Sequence, residues 1–174
     1  LNAQDLRSAQ IEDKPAHEEM LFIIVHQVYE LWFKQIIHEL ESVLELFDKD
    51  NVDEKNIGTS IHRLERVIEI QKLLVAQIRV IETMTPLDFL DFRNYLFPAS
   101  GFQSLQFRMV ENLLGLPEES RLTYNGCPYF SVFSEPNQEK LKEIATKGTL
   151  FDAMEQWLER TPFLQIGDFN FLEL

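Results

Sequence analysis

Cysteine is nearly absent from this chain: Cys127 is the only one in 174 residues, so no internal disulfide can form. A lone cysteine is typical of proteins from reducing compartments, which predicts a cytoplasmic location. Basic residues are also scarce, with 16 Lys and Arg against 29 Asp and Glu and a net charge of −13. That balance disfavours nucleic acid and anionic membrane surfaces as partners. The sequence contains no uninterrupted apolar run of about 18 residues, so no membrane span is predicted.

The signatures of several enzyme classes are missing as well. The histidines, at positions 17, 26, 38 and 62, include no pair at the four-residue spacing of a helical metal clamp. Cys127 lies in a turn-rich stretch without a neighbouring Cys or His, so no metal site is predicted. The chain also has no glycine-rich phosphate loop and no G-x-S-x-G nucleophile turn. Its chemistry must therefore be sought in other residues.

Glycine and proline number only 6 and 7 and stand between long periodic apolar segments, which favours helices. The first helix is predicted from about His17 to Phe47 and the second from Asp53 to Glu82. Helices of this length indicate an antiparallel pair in a bundle. No strand alternation is found, so we predict an all-α long-helix bundle in which residues 1–174 form a single domain. Four shorter helices are predicted to begin after Thr85, Ser100, Ser134 and Thr149.

Two local predictions concern polar residues near the helix starts. The helix that begins after Ser100 is expected to continue without a break to Gly115, since Gln103 completes a capping box with Ser100. The acidic pair Glu18 and Glu19 is expected to lie on the solvated surface, as most acidic runs do.

The stretch 21–27 is apolar except for His26 and Gln27. Phe22 lies four residues before His26, so the two share one helix face. A face of aromatic residues with one imidazole can wall a ligand pocket, where a ring nitrogen meets a buried N–H group. The alternative is a core histidine bonded to a backbone carbonyl or to Glu30. Spacing alone leaves both interpretations open.

Arg93 is embedded in aromatic residues just before a turn of small residues, and Phe89 and Leu96 share its helix face. A guanidinium group binds a carboxylate through two parallel hydrogen bonds, which suits a flat ligand that carries a carboxylate. The amides and small side chains of the turn let a planar group approach the backbone. The ordinary alternative is an ion pair with Asp88 or Asp91. Taken with the histidine segment, these residues predict a pocket for an aromatic amino acid.

Several longer motifs are specific enough to indicate a family. Residues 22–35 (FIIVHQVYELWFKQ), 82–89 (ETMTPLDF), 98–108 (PASGFQSLQFR) and 157–162 (WLERTP) resemble the tryptophan 2,3-dioxygenases. The resemblance implies a fold like that of the indoleamine and tryptophan dioxygenases, and a cytoplasmic homotetramer that depends on haem b. It implies an oxidoreductase that inserts both atoms of O₂ across the indole C2–C3 bond of L-tryptophan. The product, N-formylkynurenine, is the first of the kynurenine route of tryptophan breakdown.

The resemblance also assigns roles to individual residues. The catalytic residue is expected to be His26, which matches the distal histidine that meets the indole N–H. Phe22 matches the aromatic that packs on the indole beside the haem, and Arg93 matches the arginine that holds the substrate carboxylate. Ser100 and Gly101 match the turn that lies against the haem. The substrate-binding residues are expected to be Phe22, Ile23, Ile24, Val25, His26, Phe89, Arg93 and Leu96.

The resemblance is incomplete in one respect. The family's axial histidine for the haem iron lies in a C-terminal half that has no counterpart among these 174 residues. We therefore expect residues 1–174 to be the N-terminal portion of a longer haem dioxygenase and to be inactive alone. Two alternatives remain open: a truncated, non-catalytic helical module that binds an indole ligand or partner subunits, and a helical scaffold without a ligand.

Overall fold

The structure, a computed structural model, describes residues 4–11, 15–47, 53–121 and 128–160, and every regular element in these ranges is helical. The all-α prediction is therefore confirmed. Two 3₁₀ turns, Gly101–Gln103 and Glu118–Ser120, accompany the α-helices. The α-helices of the described ranges are α1 (Arg7–Ile11), α2 (His17–Phe47), α3 (Glu54–Ile81), α4 (Pro86–Arg93), α5 (Leu105–Leu114), α6 (Glu135–Thr146) and α7 (Leu150–Arg160).

The two long helices lie where the sequence predicts them. α2 has the predicted bounds, and α3 begins and ends one residue inside its predicted range. Side-chain hydrogen bonds show that they run antiparallel. The Tyr29 hydroxyl, early in α2, donates to the carbonyl of Leu74, late in α3, at 2.6 Å. Arg63 Nη1, early in α3, donates to the carbonyl of Ser42, late in α2, at 3.2 Å.

Three of the shorter helices begin at their predicted caps. At α4 the Asp88 amide donates to Thr85 Oγ1 at 3.3 Å, and the Thr85 amide donates to Asp88 Oδ2 at 3.0 Å. Thr149 and Asp152 make the same reciprocal pair of bonds at α7. Ser134 occupies the cap position of α6, although its side chain makes no capping bond. The predicted end of the last helix, at 161–162, lies outside the described residues.

The unbroken helix predicted from Ser100 to Gly115 is wrong. The capping box of Ser100 and Gln103 is present, but it opens a 3₁₀ turn of three residues. Ser104 then takes extended backbone angles, and its hydroxyl accepts from the Phe107 amide at 3.2 Å as the cap of α5. A serine hydroxyl that bonds the backbone ahead of it ends one helical segment and begins another. α5 does end at Gly115, whose φ of 86° is a conformation that favours glycine.

The core lies where α2 crosses its neighbours. α2 contacts α3, α4, α5 and α7, and α5 contacts α6 and α7. Leu40 and Leu141, from α2 and α6, are fully buried. The main buried cluster takes its side chains from α2, α3, α5 and α6, so one apolar core joins four helices. At the end of α2, the Phe47 ring meets the Trp157 ring of α7 edge to face at 6.0 Å.

One acidic residue that was expected on the surface is buried. Glu19 is 1% exposed, and its carboxylate accepts from the amides of Arg7 at 2.8 Å and Ser8 at 3.0 Å, and from the Ser8 hydroxyl. These amides begin α1, a short helix that the sequence pattern did not indicate. The prediction of a solvated Glu19 is wrong because the first amides of a helix have no partner within it and recruit the carboxylate. Its neighbour Glu18 is partly exposed.

By length and composition alone, α2 is able to cross a membrane, with a mean hydropathy of 1.2 in its most apolar window. The core helix of a water-soluble protein passes the same test, so this finding is weak evidence. α2 also contacts four other helices of the bundle. The absence of a membrane partner stays a prediction.

Glu39 links α2 to α3 through an ion pair. Its carboxylate is 3% exposed and accepts from Arg66 Nη1 at 2.6 Å and from Gln35 Nε2 at 2.7 Å. Burial opposes ionisation, but these hydrogen bonds and the charge of Arg66 outweigh it and hold the pKa of Glu39 below its ordinary value. A carboxylate whose pKa is depressed on folding adds stability above its unfolded pKa. That stability is lost as the pH falls through the folded pKa.

We expect Glu39→Gln to lower the free energy of unfolding of the full-length protein at neutral pH by about 1–3 kcal/mol, the range for a charge-assisted hydrogen bond. The loss should shrink as the pH falls through the lowered pKa of the native carboxylate. Urea unfolding at several pH values measures both effects, with the exposed Glu45→Gln on the same helix as the control. A loss that did not change with pH would contradict the ion pair as its source.

Candidate functional site

An aromatic cluster joins the N-terminal half of α2 to α4. The centroid of the Phe22 ring lies 5.9 Å from that of Phe89 and 5.5 Å from that of Phe92. Phe89 and Phe92 meet edge to face at 5.4 Å. The imidazole of His26 lies 4.1 Å from the Phe22 ring, tilted by 36°. The two segments that the sequence singled out therefore meet in the folded chain.

α4 is short, and both its start and its inner face are fixed. It begins with the capping box of Thr85 and Asp88, with Pro86 in the first turn, where a missing amide hydrogen costs nothing. Hydrogen bonds from Thr85 lower the pKa of Asp88, so a carboxylate stands at the positive end of the helix. Phe92 is fully buried and holds the helix against α2. Arg93, the next residue, is thereby placed by a well-anchored element.

His26 is exposed, and one of its ring nitrogens is already bonded. Nδ1 lies 2.7 Å from the carbonyl oxygen of Phe22, one turn earlier on α2. A carbonyl only accepts, so Nδ1 carries the hydrogen, and Nε2 of the neutral ring is left as an acceptor. The imidazole does bond a backbone carbonyl, as the alternative interpretation has it, but at the surface rather than in the core. Glu30, the other partner considered, bonds elsewhere.

The guanidinium of Arg93 is exposed and makes no hydrogen bond or ion pair with any residue in the described ranges. Asp88 is occupied by the capping box of α4, where its Oδ2 also accepts from the Thr85 hydroxyl at 2.6 Å. The ion pair of Arg93 with Asp88 or Asp91 is therefore not formed within the part of the chain that the structure describes. Arg93 follows Phe89 by four residues on α4, a rise of about 6 Å along the helix axis.

The turn at Ser100–Gly101 is fastened to α2 through Glu30. Ser104 Oγ donates to Glu30 Oε1 at 2.5 Å. Gln106 Nε2 donates to Glu30 Oε2 at 2.7 Å and to the Glu30 carbonyl at 2.8 Å. A Cβ added at Gly101 would meet no described atom within 4 Å, so this glycine faces open space.

The other residues expected in the pocket lie on different faces. Val25 is buried at 8% exposure, Ile23 is half-buried and Ile24 is exposed. Leu96 follows α4 in a turn and is half-buried. A helix turns by about 100° per residue, so consecutive residues of one run cannot all face α4.

Ile24 borders an open apolar groove of about 520 Å³ near the start of α2. The groove is also lined by Leu6, Pro15, Ala16, His17, Glu18, Met20 and Leu21. Phe22, His26 and Arg93 do not line it, so this concavity and the aromatic cluster lie in different places. We place the candidate site at the aromatic cluster, because an imidazole and a guanidinium without an acid partner lie on the two helices that meet there.

The described ranges hold no group of three or more His, Cys, Asp or Glu side chains that could bind a metal ion. His62 contacts an oxygen of Glu65 at 3.3 Å, and His17 approaches Glu18 at 4.0 Å. His38 is exposed on α2. The described residues thus offer the wall of a binding site without a built metal centre.

Two residues that build this site were not singled out from the sequence. Phe92 lies three residues after Phe89, a spacing that places it on a neighbouring face of the helix and was available as a signal. Glu30 bonds Ser104 and Gln106, which are 74 and 76 positions away. No local pattern can reveal a contact over that separation.

Comparison with known proteins gives the family. A family model described as tryptophan 2,3-dioxygenase matches residues 1–173. The chain is 55% identical over 171 residues to the tryptophan 2,3-dioxygenase of Bdellovibrio bacteriovorus, covering 98% of this chain and 47% of that protein. The chain belongs to the tryptophan 2,3-dioxygenase family. Family members of that name from Mus musculus and Dictyostelium discoideum are 52% and 49% identical over 172 and 171 residues, 98% of this chain and 42% of theirs.

The chain spans about half the length of the curated relatives it matches. The resemblance seen in the sequence motifs is confirmed for the family as a whole. The aromatic cluster, the hydrogen-bonded histidine and the exposed arginine described above therefore lie in a member of the tryptophan 2,3-dioxygenase family.

Proposed function

We propose that residues 1–174 form the distal-pocket portion of a tryptophan 2,3-dioxygenase. In this proposal the full-length protein is a haem-dependent oxidoreductase that inserts both atoms of O₂ across the indole C2–C3 bond of L-tryptophan. The product is N-formylkynurenine, which enters the kynurenine route. The supporting observation is the junction of α2 and α4, where the rings of Phe22, Phe89 and Phe92 meet, with the His26 imidazole against Phe22 and Arg93 next to Phe92 in the chain.

Arg93 binds the substrate carboxylate in this proposal. Its guanidinium is exposed and unpaired within the described ranges, so no acid there competes for it. Two charge-assisted hydrogen bonds fix both the position and the plane of a carboxylate. They strengthen when the rest of the site excludes water. The anchored helix α4 then sets where the amino-acid end of the ligand lies.

His26 orients the indole ring. Because Nδ1 donates to the Phe22 carbonyl, Nε2 is the acceptor for the indole N–H. An indole N–H is a very weak acid, so we assign His26 the role of hydrogen-bond acceptor rather than base. Phe22 packs on the indole. With the N–H edge held by His26, C2 and C3 face O₂, so His26 contributes to the rate by orienting the substrate rather than by acid–base chemistry. Phe89, which contacts Phe22, and Leu96 are assigned to the remaining apolar wall, whereas Ile23, Ile24 and Val25 lie on different faces of α2 and cannot all belong to it.

Haem b is the cofactor that membership of the family suggests, and the described residues fit one face of it. Gly101 faces open space, and the nearby Phe97 is 86% exposed, so a flat apolar group has access to the turn that includes Ser100. When bound, ferrous haem supplies the binding and activation of O₂. Phe22, Ser100 and Gly101 would line its binding site. We assign the residue that binds its iron to the part of the family's length that this chain does not span.

Assembly into a cytoplasmic homotetramer is part of the proposal. Its support is a row of exposed apolar side chains on α3, with Ile61, Ile68 and Val75 between 49% and 69% exposed at seven-residue spacing. An exposed apolar face of this kind is typical of a surface that binds another protein subunit. The same row favours the second candidate, a truncated, non-catalytic helical module that binds an indole ligand or partner subunits. Nucleic acid and membranes are not proposed as partners, given the net charge of −13.

The haem-loaded full-length protein tests the function directly. With L-tryptophan, air and a mild reductant, we expect O₂ uptake matched by formation of N-formylkynurenine, measured by its near-ultraviolet absorption and by mass spectrometry. The segment 1–174 alone should give neither. A full-length protein that binds haem and tryptophan but forms no product would favour the non-catalytic module.

We expect His26→Leu in the full-length protein to lower kcat/KM for L-tryptophan about fivefold to 150-fold, the equivalent of 1–3 kcal/mol for an indole N–H left unpaired. 1-Methyl-L-tryptophan lacks that N–H, so its kcat/KM should change by no more than about threefold, since no hydrogen bond is lost. Steady-state kinetics with both substrates measures the difference. His38→Leu, an exposed histidine of the same helix, is the matched control. Equal losses with both substrates would refute the hydrogen bond.

A further inference from the structure

Glu30 lies one turn after His26 on α2, and both of its carboxylate oxygens are bonded. Oε1 accepts from the Ser104 hydroxyl at 2.5 Å and Oε2 from Gln106 Nε2 at 2.7 Å. The same Gln106 amide nitrogen lies 2.8 Å from the Glu30 carbonyl. Glu30, Ser104 and Gln106, named here the Glu30 clamp, are each half-buried.

Ser104 stands at the junction of two elements. Its amide donates to the carbonyl of Gly101 at 3.3 Å and so closes the 3₁₀ turn. Its hydroxyl accepts from the Phe107 amide at 3.2 Å and so caps α5. The hydrogen of that hydroxyl is directed to Glu30. A single side chain therefore ties the end of the turn and the start of α5 to α2.

The chemistry of the clamp suits a carboxylate. Both donors are neutral groups, and the acceptor is an anion near the N-terminus of α5, where the helix dipole favours negative charge. Hydrogen bonds of this charge-assisted kind are shorter and stronger than neutral ones. A carboxylate supplies one acceptor for each of the two donors, which no other side chain of similar size does without donating in turn.

We infer that Glu30 is a positioning residue that sets the distance between His26 and the Ser100–Gly101 turn. This inference rests on the proposed function, in which His26 orients the indole and the turn lies against the haem. Glu30 and His26 are one turn apart on α2. The bonds of Glu30 to Ser104 and Gln106 therefore fix the position of the Ser100–Gly101 turn relative to His26. The Glu30 clamp affects kcat by setting that distance. Arg93 on α4 instead determines how tightly the substrate carboxylate is bound.

The experiment compares Glu30→Ala and Glu30→Gln in the full-length protein, with the exposed Glu45→Ala on the same helix as the control. Amide hydrogen exchange, followed by mass spectrometry over residues 98–110, reads the turn without any need for turnover. We expect exchange there to be at least about tenfold faster in Glu30→Ala, as one lost charge-assisted hydrogen bond would give. Exchange in α3 and α6 should not change.

Glu30→Gln should lie between the wild type and Glu30→Ala, because its amide oxygen still accepts from Gln106 and its NH₂ group donates to the Ser104 hydroxyl oxygen, while both bonds lose the charge of the carboxylate. In the haem-loaded protein, kcat for L-tryptophan should fall at least about tenfold in Glu30→Ala while KM changes by less than about threefold. If Glu30→Ala does not fold, Gln106→Leu breaks the clamp from the other side, and the same local loosening is expected.

Unchanged exchange over 98–110 in Glu30→Ala overturns the inference, as does faster exchange spread equally over α3 and α6. Equal effects of Ala and Gln at position 30 overturn it as well. The two proposals fail separately. A wild-type protein without dioxygenase activity defeats the proposed function, while the exchange measurement still decides whether the clamp places the turn.

Discussion

We expect Arg93→Met in the full-length, haem-loaded protein to weaken L-tryptophan binding by about thirtyfold or more, the equivalent of at least 2 kcal/mol for one lost partner of a desolvated charge pair. Arg93 has no acid partner within the described ranges, and Phe89 lies one turn away on the same helix. Methionine keeps an apolar stem of similar length and removes every hydrogen-bond donor. Isothermal titration calorimetry with L-tryptophan measures the change in affinity.

The affinity for tryptamine, which lacks the carboxylate, distinguishes the loss of the ion pair from damage to the fold. The wild-type protein should bind tryptamine about as weakly as Arg93→Met binds tryptophan, and the variant should no longer distinguish the two ligands. Arg79→Met removes an exposed arginine from the last turn of α3 and should leave both affinities unchanged. If Arg93→Met bound tryptophan as tightly as the wild type does, the assignment of Arg93 to the substrate carboxylate would be wrong, and if neither protein bound tryptophan, the helical scaffold without a ligand would be the better interpretation.

A second large effect is expected on stability from Phe92→Ala. The Phe92 ring is fully buried and contacts the rings of Phe22 and Phe89. Truncating a buried phenylalanine costs about 3–5 kcal/mol, because apolar surface is lost and a cavity is left. Urea unfolding followed by circular dichroism measures the loss. Tryptophan affinity should fall with it, since α4 loses its contact with α2.

Phe97→Ala is the matched control for Phe92. Phe97 is 86% exposed, so its truncation should change the free energy of unfolding by no more than about 0.5 kcal/mol. Phe92→Leu keeps most of the buried volume and should lie between the two. Similar losses for Phe92→Ala and Phe97→Ala would mean that the aromatic junction is not the buried contact described here.

The helices of this chain were predictable because their signals are local. Apolar residues three and four apart mark α2 and α3, and a Thr with an Asp three residues later marks the starts of α4 and α7. The break at Ser104 is also local, but Ser100 and Ser104 are competing caps, and the pattern does not say that both are used. α1 has five residues and no apolar periodicity, so nothing in its sequence marks it.

Contacts between distant residues account for what the sequence did not reveal. From the sequence alone, Glu19 is expected to be a surface acid, because the pattern does not show its partners, the first amides of α1. Glu30 likewise carries no local sign of its bonds to Ser104 and Gln106. A buried carboxylate is tolerated only where donors converge on it, and that convergence is a property of the fold.

The candidate site was predicted from the sequence as two sets of residues that share one pocket, but no local pattern shows the contacts that join them. An imidazole on an aromatic face and an arginine among phenylalanines each indicate a ligand group by their chemistry alone. The contacts of Phe22 with Phe89 and Phe92 are what join the two sets. The roles assigned to Ser100 and Gly101 came from the family resemblance, and they stay predictions.

The shortness of α4 has an evolutionary consequence. Thr85 and the eight residues of α4 carry the capping box, the buried ring and the guanidinium, so the spacing between these groups is fixed. One residue inserted between Phe89 and Arg93 would swing the arginine by about 100° around the helix axis. We therefore expect natural homologues to accumulate insertions and deletions in the segment that follows α5, and to leave the length of this helix untouched.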